Sequence, residues 1–184
     1  EENMTIIDES DIIVLQMEIP YQTVKAITEI ANQKGKTVIL NVAPAYPLDE
    51  DILKSVTYLI VNENEAETIL GENKEEVGAE GLVDKLIEKG AENVILTLGK
   101  AGSIYKNSEG HLRIPAFKVE AKDSTGAGDT FCGALATRMS KGDCMKDALT
   151  FASAAAALSV TKMGALPSIP TEIEIMHFLS TYTN

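Results

Sequence analysis

Asp123-Ser-Thr-Gly-Ala-Gly-Asp129-Thr-Phe131 is the stretch on which the reading of the fold turns. It stands between Phe117–Ala121, whose alternation reads as a half-exposed strand, and a segment from Gly126 that reads as a helix. Gly126, Ala127 and Gly128 put small residues where the chain must turn tightly and present backbone N–H groups. Those groups, backed by the helix dipole, make an anion site. The same residues also suit a turn that needs glycine for geometry alone, and the stretch matches neither G-x-x-x-x-G-K-[ST] nor G-x-G-x-x-G. Asp129 weighs toward chemistry. A carboxylate in a first helical turn often serves only the dipole. Beside amides that hold a transferring phosphoryl group it can also take the proton of an attacking hydroxyl, and phosphoryl transfer needs little more from the protein than positioning and charge stabilisation.

Upstream, apolar runs alternate with helical patterns. Asp11–Gln16, Thr37–Leu40, Tyr58–Val61 and Asn93–Thr97 read as short buried strands. Between them, Tyr21–Gln33, a short helix from Asp49, a helix from Glu63 to about Gly71, and Gly81–Lys89 read as helices. This rhythm predicts a doubly wound α/β fold, its sheet mostly parallel and flanked by helices, in a single domain over residues 1–184. Gly102–Lys106 and His111–Pro115 flank the turn Asn107-Ser108-Glu109-Gly110 and predict an antiparallel hairpin. Three helices close the chain, from Gly126, from Asp143 as N-cap, and from Thr171, where Thr171 and Glu174 make a T-x-x-E capping box.

Composition narrows the class. The chain has 184 residues, 45% hydrophobic and 24% charged, as ordinary globular domains do. Its longest uncharged stretch, Ala148–Thr161, is too short for the ~20 residues of a membrane span and reads as a buried helix. The net charge of −12 carries no basic footprint for nucleic acid. Residues 1–90 hold 19 acidic and 7 basic side chains while the remainder hold nine of each, so an anion is better received by the second half. Cys132 and Cys144 do not make a disulfide framework, and with no secretory signal the expectation is a reduced, cytoplasmic setting. Both cysteines and both histidines, His111 and His177, read as structural.

Three further groups of residues bear on chemistry. Asn62-Glu-Asn-Glu65-Ala-Glu67 follows a strand, at the end where α/β sheets place ligands. Asn62 and Glu65 could orient a hydrated magnesium ion, although acidic residues at a helix start are common for other reasons. Thr97-Leu-Gly99-Lys-Ala-Gly102 could let a flat ring approach the backbone, or could be a plain strand connection. Asp123, Thr125, Lys162, Gly164 and Ser168 offer side-chain or carbonyl oxygens to a monovalent cation, which spacing alone does not justify.

Taken together these motifs resemble the ribokinase branch of the ribokinase/phosphofructokinase-B carbohydrate kinases. The likeness rests on Asp123–Phe131, Asn41-Val-Ala-Pro-Ala45, Asn62–Glu67, Thr97–Gly102 and Gly164–Pro170, five motifs in one order. Val42 replaces the family's commoner proline, and Lys162 stands where arginine is frequent. The resemblance implies ATP-dependent phosphorylation of a sugar hydroxyl, D-ribose to ribose 5-phosphate first. Fructose, ketodeoxygluconate and nucleoside kinases are the nearest alternatives, and a non-catalytic nucleotide-binding or dimerising module is the rival from another class. It implies Asp129 as the base, Gly126, Ala127 and Gly128 as the anion hole, and Asn62 and Glu65 as supports for Mg2+ and phosphate. Thr97, Gly99 and Gly102 would line the ATP site, with Ser153 near the adenine, and Glu18 would lie close to the sugar. A K+ loop would fall on Asp123, Thr125, Ser159, Lys162, Gly164 and Ser168. ATP and a small sugar would be the partners, and the full-length protein a homodimer. The family's N-terminal Gly-Gly signature, most of its sugar pocket and its β-sheet lid have no counterpart here, so the expectation is a C-terminal, nucleotide-binding part, inactive by itself.

Overall fold

The computed structural model describes residues 4–182. Its elements in chain order are α1 (Met4–Glu9), β1 (Ile12–Gln16), α2 (Tyr21–Gln33), β2 (Thr37–Asn41), α3 (Glu50–Ser55), β3 (Tyr58–Asn62), α4 (Glu63–Leu70), α5 (Lys74–Glu88), β4 (Asn93–Thr97), β5 (Ser103–Asn107), β6 (Gly110–Ile114), α6 (Ala127–Ser140), α7 (Met145–Ser159) and α8 (Glu172–Thr181). The six strands form one sheet in sequence order. β1 to β4 pair in parallel and β5 joins β4 antiparallel, which gives the expected mostly parallel sheet with its hairpin. The described residues group into two compact units, one of residues up to 98 with 103–113, the other of 99–102 with 114 onward.

In the first unit strand alternation decides the core. Leu15, Leu40, Val61 and Leu96 turn to one face and pack with Val24 of α2, Ile52 and Leu53 of α3, Ile69 of α4 and Leu82 and Leu86 of α5. Ile39, Ile60 and Ile95 turn to the other face and are buried as well. Strands buried on both faces read as unbroken apolar runs, which is why these segments were legible. α5 starts at Lys74 rather than Gly81: Asn73 caps it, and Gly78 (φ 73°) kinks it, breaking the periodicity that marks a helix. α1, which no periodicity announces, has only six residues.

In the second unit α6 lies along α7, whose Ala148, Ala152, Ala154 and Ala155 are fully buried. α8 sits on α7 through Ile175, against Phe151, Ala154 and Ala155. Phe117–Ala121 is not a strand. The rings of Phe178 and Tyr182 draw Phe117 onto α8 (centroids 5.3 and 4.9 Å), and the Lys118 amide donates to the Tyr182 hydroxyl at 2.7 Å instead of to a neighbouring strand. Cys144, not Asp143, is the N-cap of α7, because the Asp143 carboxylate takes a hydrogen bond from Arg138 Nε at 2.5 Å. The Thr171–Glu174 capping box forms as the sequence predicts. Both cysteines are free, Cys132 buried and Cys144 exposed. Burial raises the Cys132 thiol to about 12, so it packs rather than reacts.

Candidate functional site

The carboxyl ends of the parallel strands bring several expected residues together in the first unit. Asn62 ends β3 and pairs in register with Thr97, which ends β4. Thr97 Oγ1 donates to the Val61 carbonyl at 3.3 Å. Asn62 is also the N-cap of α4, and Glu65 closes a full capping box on it. Asn62 Oδ1 accepts from the Glu65 amide at 2.9 Å. The Glu65 carboxylate accepts from the Asn62 amide at 2.7 Å and from Asn62 Nδ2 at 2.8 Å. Glu65 is 7% exposed, and burial raises its carboxyl above the ordinary range although both hydrogen bonds from Asn62 pull it down. Its immediate work is therefore to fix the Asn62 side chain. Each carboxylate oxygen retains a lone pair, which suits a magnesium ion reached through its water shell. Among the described residues no three or more His, Cys, Asp or Glu side chains gather as a metal site.

The sequence motifs missed Gln16 and Ser103, which complete this edge. Alternation places Gln16, Asn41, Asn62 and Thr97, the last residues of β1 to β4, on the face away from the Leu15–Leu96 cluster. Ser103, opposite Thr97 on β5, belongs to the same row, and its Oγ is buried without a hydrogen-bond partner. A polar residue closing each apolar strand was the available signal. Glu18 follows β1 in an exposed bend.

The second unit assembles the glycine-rich turn. Gly126 is the N-cap of α6 with φ 75° and ψ 6°, a left-handed conformation that favours glycine. A Cβ there would also come within 3.3 Å of Ala165 Cβ. The first backbone bond into the helix runs from the Thr130 amide to the Gly126 carbonyl at 2.9 Å. Among the described residues the Gly128 and Asp129 amides meet no acceptor, as the opening turn of a helix dictates. Asp129 itself is exposed in that turn.

Asp123 ties this turn to the 159–168 segment. Its Oδ1 accepts from the Thr125 amide (3.0 Å) and hydroxyl (2.7 Å), and its Oδ2 accepts from the Gly164 amide at 2.8 Å. The Thr125 hydroxyl above all, then the Gly164 and Thr125 amides, hold the carboxyl down at about 2. The Lys122 and Asp123 amides both donate to the Val160 carbonyl, at 2.7 and 3.2 Å. Ser159 and Ser168 are buried, their hydroxyls donating to the Ala156 and Ala165 carbonyls. The Lys162 ammonium faces Glu174, so only its backbone could serve a cation. Carbonyls and hydroxyls are hard oxygen donors of the kind a monovalent cation could use. Gly99 opens a short 3-10 turn and Gly102 (φ 94°) closes it. A Cβ on Gly102 would stand 2.0 Å from the Ile114 carbonyl oxygen, so this glycine is required by the chain's own backbone whatever else it approaches. Ser153 lies half-buried in mid-α7, away in sequence from the turn.

Residues 1–172 match the pfkB family of carbohydrate kinases. The chain belongs to that family. It is 37% identical over 170 residues to ribokinase of Schizosaccharomyces pombe, covering 90% of this chain and 54% of that protein. It is 39% identical over 175 residues to ribokinase of Haemophilus influenzae, covering 94% and 57%. Among solved structures, ribokinase from Thermotoga maritima superposes with a TM-score of 0.87 at 38% identity, over 96% of this chain and 59% of that one. Arabidopsis thaliana ribokinase complexed with ribose and ATP superposes with a TM-score of 0.92 at 30% identity, over 100% and 60%. The chain thus spans a little over half the length of each of these four relatives.

Proposed function

We propose that this chain carries the nucleotide and phosphoryl-transfer half of an ATP-dependent sugar kinase whose acceptor is ribose. The observation that carries the reading is the opening of α6, where a left-handed Gly126 leads into unpaired Gly128 and Asp129 amides and the Asp129 carboxylate stands in the same exposed turn. In the proposed step the oxygen of a primary sugar hydroxyl bonds to the γ-phosphorus of ATP, the bond from that phosphorus to the β–γ bridging oxygen breaks, and ADP leaves with the electron pair. The hydroxyl proton passes to the Asp129 carboxylate, and the Gly126 and Gly128 amides hold the charge on the transferring group, joined by the Ala127 amide if it gives up its 3.2 Å bond to the Ser124 carbonyl. By the family resemblance, Asn62 and Glu65 would support magnesium and phosphate, and Thr97, Gly99, Gly102 and Ser153 would contact the nucleotide. Magnesium supplies charge neutralisation on the phosphates. Backbone oxygens of the 123–125 and 159–164 segments with Ser168 would hold potassium, and Glu18 would approach the sugar.

Ribose is preferred because the relatives from Schizosaccharomyces pombe and Haemophilus influenzae are ribokinases; a deoxyribokinase of Salmonella typhi, 32% identical over 92% of this chain, shows one variation in acceptor. We further propose that the 184 residues alone bind MgADP but do not turn over ribose, since the family resemblance assigns most sugar contacts and the lid to sequence outside them. The test has two arms. Titrating MgADP into the labelled chain should shift the Gly128 and Asp129 amide resonances. In any length of the protein that releases ADP in a ribose-dependent way, Asp129→Asn should lower kcat by roughly 10²–10⁴ while nucleotide still binds. Near-normal turnover in that variant would remove Asp129 as the base.

A further inference from the structure

The Asp123 side chain has a duty that its family resemblance does not assign. The two stretches that the resemblance joins into one cation loop are far apart in sequence, at 123–125 and 159–168. Something in the chain must hold them in register before any ion can bridge them. The Val160 carbonyl does part of this through the Lys122 and Asp123 amides. Among the described residues the only side-chain bond between the two stretches is that of Asp123, whose Oδ2 accepts from the Gly164 amide at 2.8 Å across 41 residues. Its other oxygen is saturated, with the Thr125 amide at 3.0 Å and hydroxyl at 2.7 Å filling both lone pairs. The next residue, Gly126, is the left-handed N-cap of α6, and its Cα carries no side chain where Ala165 comes closest.

We infer that Asp123 is a positioning residue, a carboxylate latch that sets the 123–126 turn against Gly164 and Ala165 through hydrogen bonds and so aims the opening amides of α6, with no cation needed for the latch to close. A ligand role predicts the opposite dependence. A carboxylate that mainly coordinates an ion would leave the Gly164 amide indifferent to Asp123 when no ion is present. A latch predicts a charge-assisted bond from Gly164 to Asp123 whether or not an ion is bound. Substitution by asparagine keeps the shape but offers an NH2 group to one of the two amide donors, which is a clash of donors rather than a weaker bond. The half of the inference that concerns the aim of the α6 amides rests on the proposed phosphoryl-binding turn, and the latch itself does not.

The experiment uses the 184-residue chain in choline buffer without potassium or sodium. Amide hydrogen exchange of Gly164 and Thr125 should quicken at least tenfold in Asp123→Asn and Asp123→Ala, with the Ala154 and Ala155 amides of α7 unchanged as proof that the unit is folded. Thr125→Val should quicken Gly164 exchange less, and Thr125→Ser should restore it. Gly164 exchange in Asp123→Ala equal to the parent, with α7 protected, overturns the latch. A general loss of α7 protection in both Asp123 variants sends the decision to Thr125→Val: unaltered Gly164 exchange there also overturns it. MgADP separates the two readings. Amide shifts at Gly128 and Asp129 in the parent that weaken tenfold or more in Asp123→Asn support the aiming role, and full-strength shifts in that variant overturn it. No shift in the parent defeats the proposed nucleotide site and leaves the latch to stand or fall on Gly164.

Discussion

Two helices of this chain begin with the same device and treat it oppositely. α4 opens on Asn62 with Glu65 three residues on, and α8 opens on Thr171 with Glu174 three residues on, each a complete capping box. In both, the carboxylate accepts from the cap amide at 2.7 Å and from the cap side chain, at 2.8 Å in the first and 2.9 Å in the second. Burial separates them. Glu65 is 7% exposed, and loss of water raises its carboxyl. The Glu174 side chain is 48% exposed, and its hydrogen bonds to Thr171 and Lys162 hold it at about 2. A surface capping box is a helix start and nothing more. A buried one keeps a charge where desolvation disfavours it, at the carboxyl edge of a parallel sheet, and that tension marks sites more than scaffolds.

The largest difference should appear on deleting the carboxylates. Glu65→Ala removes the buried carboxylate that accepts from the Asn62 amide and Nδ2, and should cost about 1 kcal/mol in unfolding free energy by denaturant titration, water replacing part of the acceptor because Asn62 itself is exposed. Glu174→Ala strips donors that water can reach at once, so its midpoint should move less. Equal shifts would mean that burial does not distinguish the two boxes.

That pair also shows what a sequence can reveal. Thr171-x-x-Glu174 reads as a capping box because nothing competes with that reading. Asn62-x-x-Glu65 has the same spacing, yet its place after a buried strand invites a metal-supporting role, and its capping geometry goes unread. Strands β2 to β4 were legible since residues such as Ile39 and Leu40 are buried on opposite faces of one run, and β1 is as apolar although its Val14 is exposed. The glycine-rich turn was legible because it is local. What eluded the sequence is what long-range contacts decide: Phe117 leaving the strand class for the rings of α8, Asp143 spent on Arg138, and Ser103 joining Thr97 across the sheet. The Asp123 bond to Gly164 spans 41 residues and has no pattern to betray it.

The next contrast is in sign rather than size. Glu65 has a folded value above its usual 4.5, so the native state binds its proton more readily than the unfolded chain. Its ionisation therefore costs stability as pH rises through the raised value, and acidification from neutral returns it. Glu174 has a folded value of about 2 against 4.5, so its contribution is present above 4.5 and is lost as pH falls toward 2. Glu65→Gln should flatten the stability profile on the neutral side of pH 4.5, and Glu174→Gln should flatten it between about pH 4.5 and 2. Thermal unfolding followed across pH 2–7 in both variants is the measurement. Profiles flattened in the same window would show that the two carboxyls are not shifted apart.

The smallest effect belongs to the ion pair that only one box possesses. Lys162 Nζ lies 3.2 Å from Glu174 Oε1, with the two side chains 42% and 48% exposed. An exposed pair gains little Coulomb energy in high dielectric, gives up the freedom of a long side chain, and is screened by salt. Glu174 keeps both bonds to Thr171 when the lysine is removed, so the cap does not depend on the pair. Lys162→Ala should therefore leave the unfolding midpoint within measurement error, and 0.5 M salt, roughly a 4 Å Debye length, should treat parent and variant alike. A drop of several degrees, abolished by salt, would show that the α8 start depends on its charge partner. The exposed box would then be no less demanding than the buried one, and burial would no longer explain why the carboxyls of Glu65 and Glu174 are driven in opposite directions.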